Sequence, residues 1–458
     1  MTTAINLDAH ARHFIYAPDQ LQDIASDMLR HARALGATGA YAEISESDGL
    51  SVSVRRGEVE TIEQNRDKQL DVTVFIGQQR GTASTSDFSS ASLKDAVAAA
   101  CNIARFTSVD DAAGLADVEL LETAPRDLDL YHPWPLSADD AVEIARRAEE
   151  AAFAAGAEIR NSDGANVSAQ QRQFVLATSH GFVGGYPDSR NAIACTPIAG
   201  SGLDMQGGHW YSAQRSADDL ASPESVGRRA AERALARLGA RGLDTRNAPV
   251  LFEAALAGNL LGAFVQAASG GLLYRHASFL VDSLGKPVFA PHVQIVEDPH
   301  ILRAPGSAPF DREGVRTRAR HVVQDGIVEG YFLSSYTARK LGMRSTGNAG
   351  GAHNLALRSS MTRGDDDFDA MLKRMGTGLL LTELMGHGVN FVTGDYSCGA
   401  AGFWVENGAI QYPVEGITVA STLQDMFRQI VAIGADTIVR GSHETGSVLI
   451  EQMTIAGR

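Results

Sequence analysis

The chain has 458 residues and a formal net charge of −15, with 44% hydrophobic and 21% charged residues. That profile excludes a disordered chain, leaves room for two domains with separate cores, and argues against a nonspecific grip on phosphate backbones. Three scattered cysteines, Cys101, Cys195 and Cys398, form no CxxC pair, which excludes a disulfide framework and fits a reducing cytoplasm.

The N-terminus, MTTAINLDAHARHFIYAPDQ, lacks the apolar core of a signal peptide. Residues 18–36 carry Ile24, Met28, Leu29, Ala32 and Leu35 near helical spacing. A β-rich block follows, with extended runs at 41–47, 50–55, 59–63 and 70–76, then a glycine-bounded turn at 77–81. Residues 90–104 and 137–155 read as helices, the second with Ser137 as N-cap and Asp139 and Asp140 in its first turn. Strands return over 164–196, with turns expected at His180-Gly181 and Gly184-Gly185. A basic, alanine-rich helix spans 225–238, and a loop breaks the pattern there.

The second half opens on an apolar strand, 249–252, running into a helix at 254–268. Glu253, Asn259 and Gln266 interrupt this stretch, so a buried helix is expected and not a membrane span. Two hairpins turn at Asp325-Gly326 and Asn407-Gly408, dipeptides that accept the positive φ of a type I′ turn. A last helix is expected over 420–433 and a last strand over 447–455. The fold class is α+β with mostly antiparallel sheets, divided into an N-terminal helix-and-sheet domain, 1–240, and a β-rich C-terminal domain, 241–458.

The residues alone are sparing about chemistry. HExxH is absent. His10 and His13 make an HxxH pair in the N-terminal segment, and His292 and His300 read as surface residues. There is no GxSxG elbow, P-loop or nucleic-acid module. Cys398, His387 and Asp395 lie close enough in sequence for a cysteine-type hydrolase, with small-residue packing around a buried thiol as the competing reading. Gly347-Asn-Ala-Gly-Gly-Ala-His353 is a glycine-rich loop suited to close backbone approach.

Several long stretches resemble the PmbA/TldE branch of the TldD/PmbA family. They are Leu381-Thr-Glu-Leu-Met-Gly-His-Gly-Val-Asn-Phe-Val-Thr-Gly-Asp-Tyr-Ser-Cys-Gly-Ala-Ala-Gly-Phe-Trp-Val-Glu-Asn-Gly408, Pro309-Phe-Asp-Arg-Glu-Gly-Val-Arg-Thr317, Ser335-Tyr-Thr-Ala-Arg-Lys-Leu-Gly342 and Ser345-Thr-Gly-Asn-Ala-Gly-Gly-Ala-His-Asn354. The resemblance implies a two-chain cytoplasmic protease that cuts unfolded or extended peptides, with precursor-peptide maturation and antitoxin degradation as uses. The family's "modulator of DNA gyrase" label would reflect those substrates. The TldD branch carries HExxxH on a helix and a late Cys as zinc ligands. Here the stretch reads Phe252-Glu253-Ala-Ala-Leu-Ala257, and 440–447 has no Cys. The resemblance therefore implies a metal-free subunit, with no catalytic residue in its degenerate motif and zinc in a TldD-like partner. Glu253 is expected to sit in the first turn of a helix, favoured by the dipole. Gly350, Gly351, His353, Asn354, Asp395 and Cys398 are the candidate walls of a substrate groove. The alternatives are a stand-alone peptide-binding homodimer and the cysteine hydrolase.

Overall fold

The computed structural model describes residues 14–386 and 388–457, so His10, His13 and His387 lie outside the described residues. The first half contains helix α1 (Pro18–Ala34), strands β1 (Gly39–Arg55), β2 (Glu58–Ile76) and β3 (Gln79–Thr85), and helices α2 (Ser90–Phe106) and α3 (Ala138–Ala154). Strands β4 (Ile159–Thr178), β5 (Val183–Ala199), β6 (Gln206–Gly207) and β7 (Trp210–Gln214) and helix α4 (Pro223–Ala236) follow. The strands form one antiparallel sheet in the order β3-β2-β1-β4-β5-β6, with β7 also on β5.

The four short runs expected over 41–76 are two continuous strands, of 17 and 19 residues. Their ladder persists through the polar middle, where Gly49 pairs with Asn65, because backbone hydrogen bonds do not depend on side-chain polarity. The hairpin turns at Arg56 and Gly57, both at positive φ. A second correction concerns Gly184-Gly185, which lies inside β5. A Cβ on Gly185 would stand 2.1 Å from the Phe174 carbonyl oxygen, so this glycine serves strand contact and not a turn.

All four long helices cover one face of the sheet. Alternate residues on β1 explain how: Ala40, Ala42 and Ile44 pack under α1 and α2, whereas Val52 and Val54 pack under α3 and α4. Ser89, Ser137 and Ser222 cap α2, α3 and α4 by accepting backbone N–H bonds.

The second half runs β8 (Arg246–Phe252), α5 (Ala254–Ala267), α6 (Gly270–Leu273), β9 (Val293–Asp298), β10 (Arg320–Gln324), β11 (Ile327–Val328), α7 (Ser335–Lys340), β12 (Asn354–Ser359) and α8 (Phe368–Met375). It ends with β13 (Gly378–Met385), β14 (Asp395–Glu406), β15 (Ala409–Thr422), α9 (Leu423–Arg428), β16 (Ile430–Ile433), β17 (Ile438–Arg440), β18 (His443–Thr445) and β19 (Val448–Ala456). One sheet is ordered β11-β10-β9-β12-β18-β17 and the other β15-β14-β13-β8-β19-β16. An added β15–β19 pairing closes β8, β13, β14, β15 and β19 into a ring. Only β8–β13 and β12–β18 are parallel among the strand pairs of the described residues, so the fold is α+β and mostly antiparallel.

Both expected hairpins turn where the dipeptides place them, with Asp325, Gly326, Asn407 and Gly408 all at positive φ. The helix expected over 420–433 is only six residues long. β15 continues to Thr422, whose side chain caps α9, and Ile430–Ile433 pairs with β19 as a strand. The apolar run there serves a sheet, whose buried faces read much like a helix stripe over so few residues. No helix among the described residues is long and apolar enough to cross a membrane.

Candidate functional site

The stretch Phe252–Ala257 straddles two elements. Phe252 is the last residue of β8, held between Leu381 of β13 and Val448 of β19. Glu253 is the N-cap of α5, its N–H donating to the Leu381 carbonyl at 3.0 Å. Phe252 and Ala257 are fully buried in the main core. Positions 252 and 257 therefore do not share one helix. Residues five apart on one regular helix would instead point about 140° away from each other.

Glu253 departs from expectation. It precedes the first turn, and its carboxylate caps no backbone N–H. Both oxygens instead accept from Arg233 of α4, at 2.7 and 2.9 Å, while the same guanidinium donates to the Thr382 carbonyl. A bidentate pair of this kind is directional and strong for an ion pair. One turn along α4, Arg237 pairs with Glu383.

These residues border a cleft of ≈ 1120 Å³ between α4 and β7 on one side and α5, β13 and β15 on the other. Trp210 stands in its wall, with the guanidinium carbons of Arg229 and Arg440 4.1 and 3.9 Å from its ring centre. Sequence reasoning missed this cluster. A signal was present: Arg229, Arg233 and Arg237 recur every four residues and so share one face of α4. Arg440 and Trp210 arrive from distant strands and carry no local signal. His443 of β18 donates from Nδ1 to the Gly258 carbonyl, 3.1 Å away, and lies against Gly258 and Gly262 of α5. Burial lowers its pKa below the ordinary 6.5.

The expected groove residues do not all meet. Gly350, Gly351 and His353 line a smaller cleft of ≈ 280 Å³, together with Arg172, Asp311 and Arg312. His353 is buried, its Nε2 2.9 Å from the Gly347 carbonyl. Asn354 is occupied in holding the chain: Nδ2 donates to Asp298 and Ser307, and Oδ1 accepts from the Gly306 N–H. Asp395 and Cys398 lie three residues apart on β14 and so point to opposite faces. Cys398 is 5% exposed within the core, whereas Asp395 is exposed and accepts from Thr393. His292 and His300 are half-buried, not surface residues. His292 bridges Ser359 and the Ile430 carbonyl, and His300 contacts Thr317.

Family comparison now places the chain. Its residues 42–104, 131–238 and 245–457 match the PmbA/TldA metallopeptidase domain 1, central domain and C-terminal domain. It is 47% identical over 420 residues to metalloprotease PmbA of Escherichia coli, covering 92% of each chain. The chain belongs to the PmbA/TldD metallopeptidase family. A PmbA homolog of Haemophilus influenzae is 44% identical over 96% of each chain. In fold, the chain is similar to a Bacteroides thetaiotaomicron protein described as a candidate modulator of DNA gyrase (TM-score 0.90, 24% identity, 96% and 99% covered). It is also similar to TldE of Thermococcus kodakarensis (TM-score 0.82, 18% identity, 95% and 100% covered).

A PmbA/TldD metallopeptidase implies a bound metal, and the residues at 252–257 do not offer it ligands. Phenyl and methyl side chains at 252 and 257 offer no lone pair, and both Glu253 oxygens face a guanidinium. Among the described residues, no group of three or more His, Cys, Asp or Glu side chains is placed to hold a metal ion. The donor set at this position does not fit zinc, and no catalytic step is assigned to it.

Proposed function

We propose that this chain is the zinc-free, TldE-like subunit of a two-chain cytoplasmic peptidase. A TldD-like partner holds the zinc, and unfolded or extended peptides are the substrates. One observation carries this reading: the two ligand positions of the motif are buried Phe252 and Ala257, and its glutamate is tied to Arg233. A glutamate in that ion pair has no metal-activated water to deprotonate. The chain then contributes surface to the assembly. The glycine loop bearing Gly350, Gly351 and His353 is a proposed groove wall, and 1–240 and 241–458 are its proposed domains.

The test is reconstitution. The chain is purified alone, mixed with a TldD-like chain from the same organism, and assayed on an unfolded peptide. Cleavage is expected only from the mixture, which should migrate as one complex. Full cleavage by the TldD-like chain alone, or failure of the two to associate, contradicts the reading.

A further inference from the structure

The cleft beside Phe252–Ala257 holds two arginines without a carboxylate partner among the described residues. Arg233 and Arg237 are neutralised by Glu253 and Glu383. Arg229 and Arg440 have no carboxylate within ion-pair distance among the described residues, and Glu232, three residues on from Arg229, pairs with neither. Arg229 is exposed; Arg440 is half-buried and donates one N–H to the Tyr211 carbonyl at 2.9 Å. The guanidinium carbon of each lies over the Trp210 ring, and that of Arg440 also lies 4.2 Å from the Tyr211 ring centre. A guanidinium attracted to a ring still carries N–H donors for an anion.

Burial depresses the Arg440 pKa, and the neighbouring Arg229 and Arg233 add to the effect. Two cations held close together without a counter-charge repel each other, and an incoming anion relieves that cost. The surroundings suit a chain rather than a small ion. Leu256, Leu384, Phe403 and Tyr412 supply apolar wall in a cleft of ≈ 1120 Å³. Among the described residues, strands β7 and β17, which bring Trp210 and Arg440, each pair with one strand only, so two strand edges without a second partner strand adjoin the charge.

We propose that Arg229, Trp210 and Arg440 form a subsite for the carboxylates of an extended peptide, so that this chain itself engages peptide. The inference rests on the peptide half of the function proposed above and not on a TldD-like partner, so the isolated chain tests it. The carboxylates come from acidic side chains or from the C-terminus, and the ligand set separates the two.

The experiment is isothermal titration calorimetry of the isolated chain at low salt. The ligands are three unstructured peptides of one Gly/Ser/Leu frame: one with two Glu and an amidated end, one with two Gln and a free end, and one with two Gln and an amidated end. Binding of either carboxylate-bearing peptide, and no binding of the neutral one, is expected. Which of the two binds names the source of the charge. Arg229→Gln and Arg440→Gln should each weaken that binding about tenfold or more, as loss of a charge-assisted contact predicts. Arg229 is exposed, so its variant folds, and circular dichroism checks both. Equal binding of all three peptides, no binding of any, or unchanged affinity in the folded Arg229→Gln protein overturns the proposal. So does competition by inorganic phosphate at the same concentration as peptide, which would mean a simple anion site.

Discussion

Arg233 and Glu253 form a partly buried bidentate ion pair at the N-terminus of α5. The side chains are 25% and 18% exposed, too buried to leave either charge alone without penalty. Arg233→Ala should destabilise the chain by about 1–3 kcal/mol, the cost of stranding a partly buried charged partner. The double variant Arg233→Ala with Glu253→Ala should recover part of that loss, because no charge is left stranded. Urea unfolding of the four proteins in the cycle measures both, and full additivity would deny the coupling. His443 makes a second residue-scale prediction. Its folded pKa lies below 6.5, so between that lowered value and 6.5 the unfolded chain binds more protons than the folded one. Stability is therefore present above 6.5 and lost as pH falls through the folded value. In His443→Gln that acid-side loss should shrink; an unchanged pH profile of melting temperature would show that His443 is not responsible.

At the element scale, α3 and α4 approach each other closely at Gly227. A Cβ on Gly227 would lie 1.8 Å from the Ala148 carbonyl oxygen, so the helices cross with backbones in direct contact. Gly227→Ala should cost about 1–3 kcal/mol by overpacking, although alanine is the better helix former. An alanine variant as stable as the parent would mean that the helices can part without loss. This contact also shows why elements were more legible in sequence than their meeting points. Helical spacing, serine caps and the Asp-Gly and Asn-Gly turns are local signals, and the structure follows them at α3, α5 and both hairpins. Close approach of two backbones leaves only a glycine behind. At Gly184-Gly185 the same signal read as a turn and proved to be strand contact.

At the scale of the molecule, the order of elements and the mostly antiparallel sheets were legible, but the cleft was not. It is assembled from residues some two hundred positions apart, Trp210 on β7 and Arg440 on β17, and no window of sequence contains both. That Phe252 and Ala257 carry side chains without lone pairs was legible from their identities alone. What sequence could not supply was the guanidinium facing Glu253. The proposed absence of catalytic zinc from this chain is tested most directly by metal analysis. The purified chain, a TldD-like chain from the same organism and their mixture are dialysed against zinc and then against buffer, and zinc is counted by mass spectrometry. The account predicts background zinc in this chain and a full site in the TldD-like chain and the mixture. Stoichiometric zinc in the isolated chain, lost on Glu253→Ala, would contradict it.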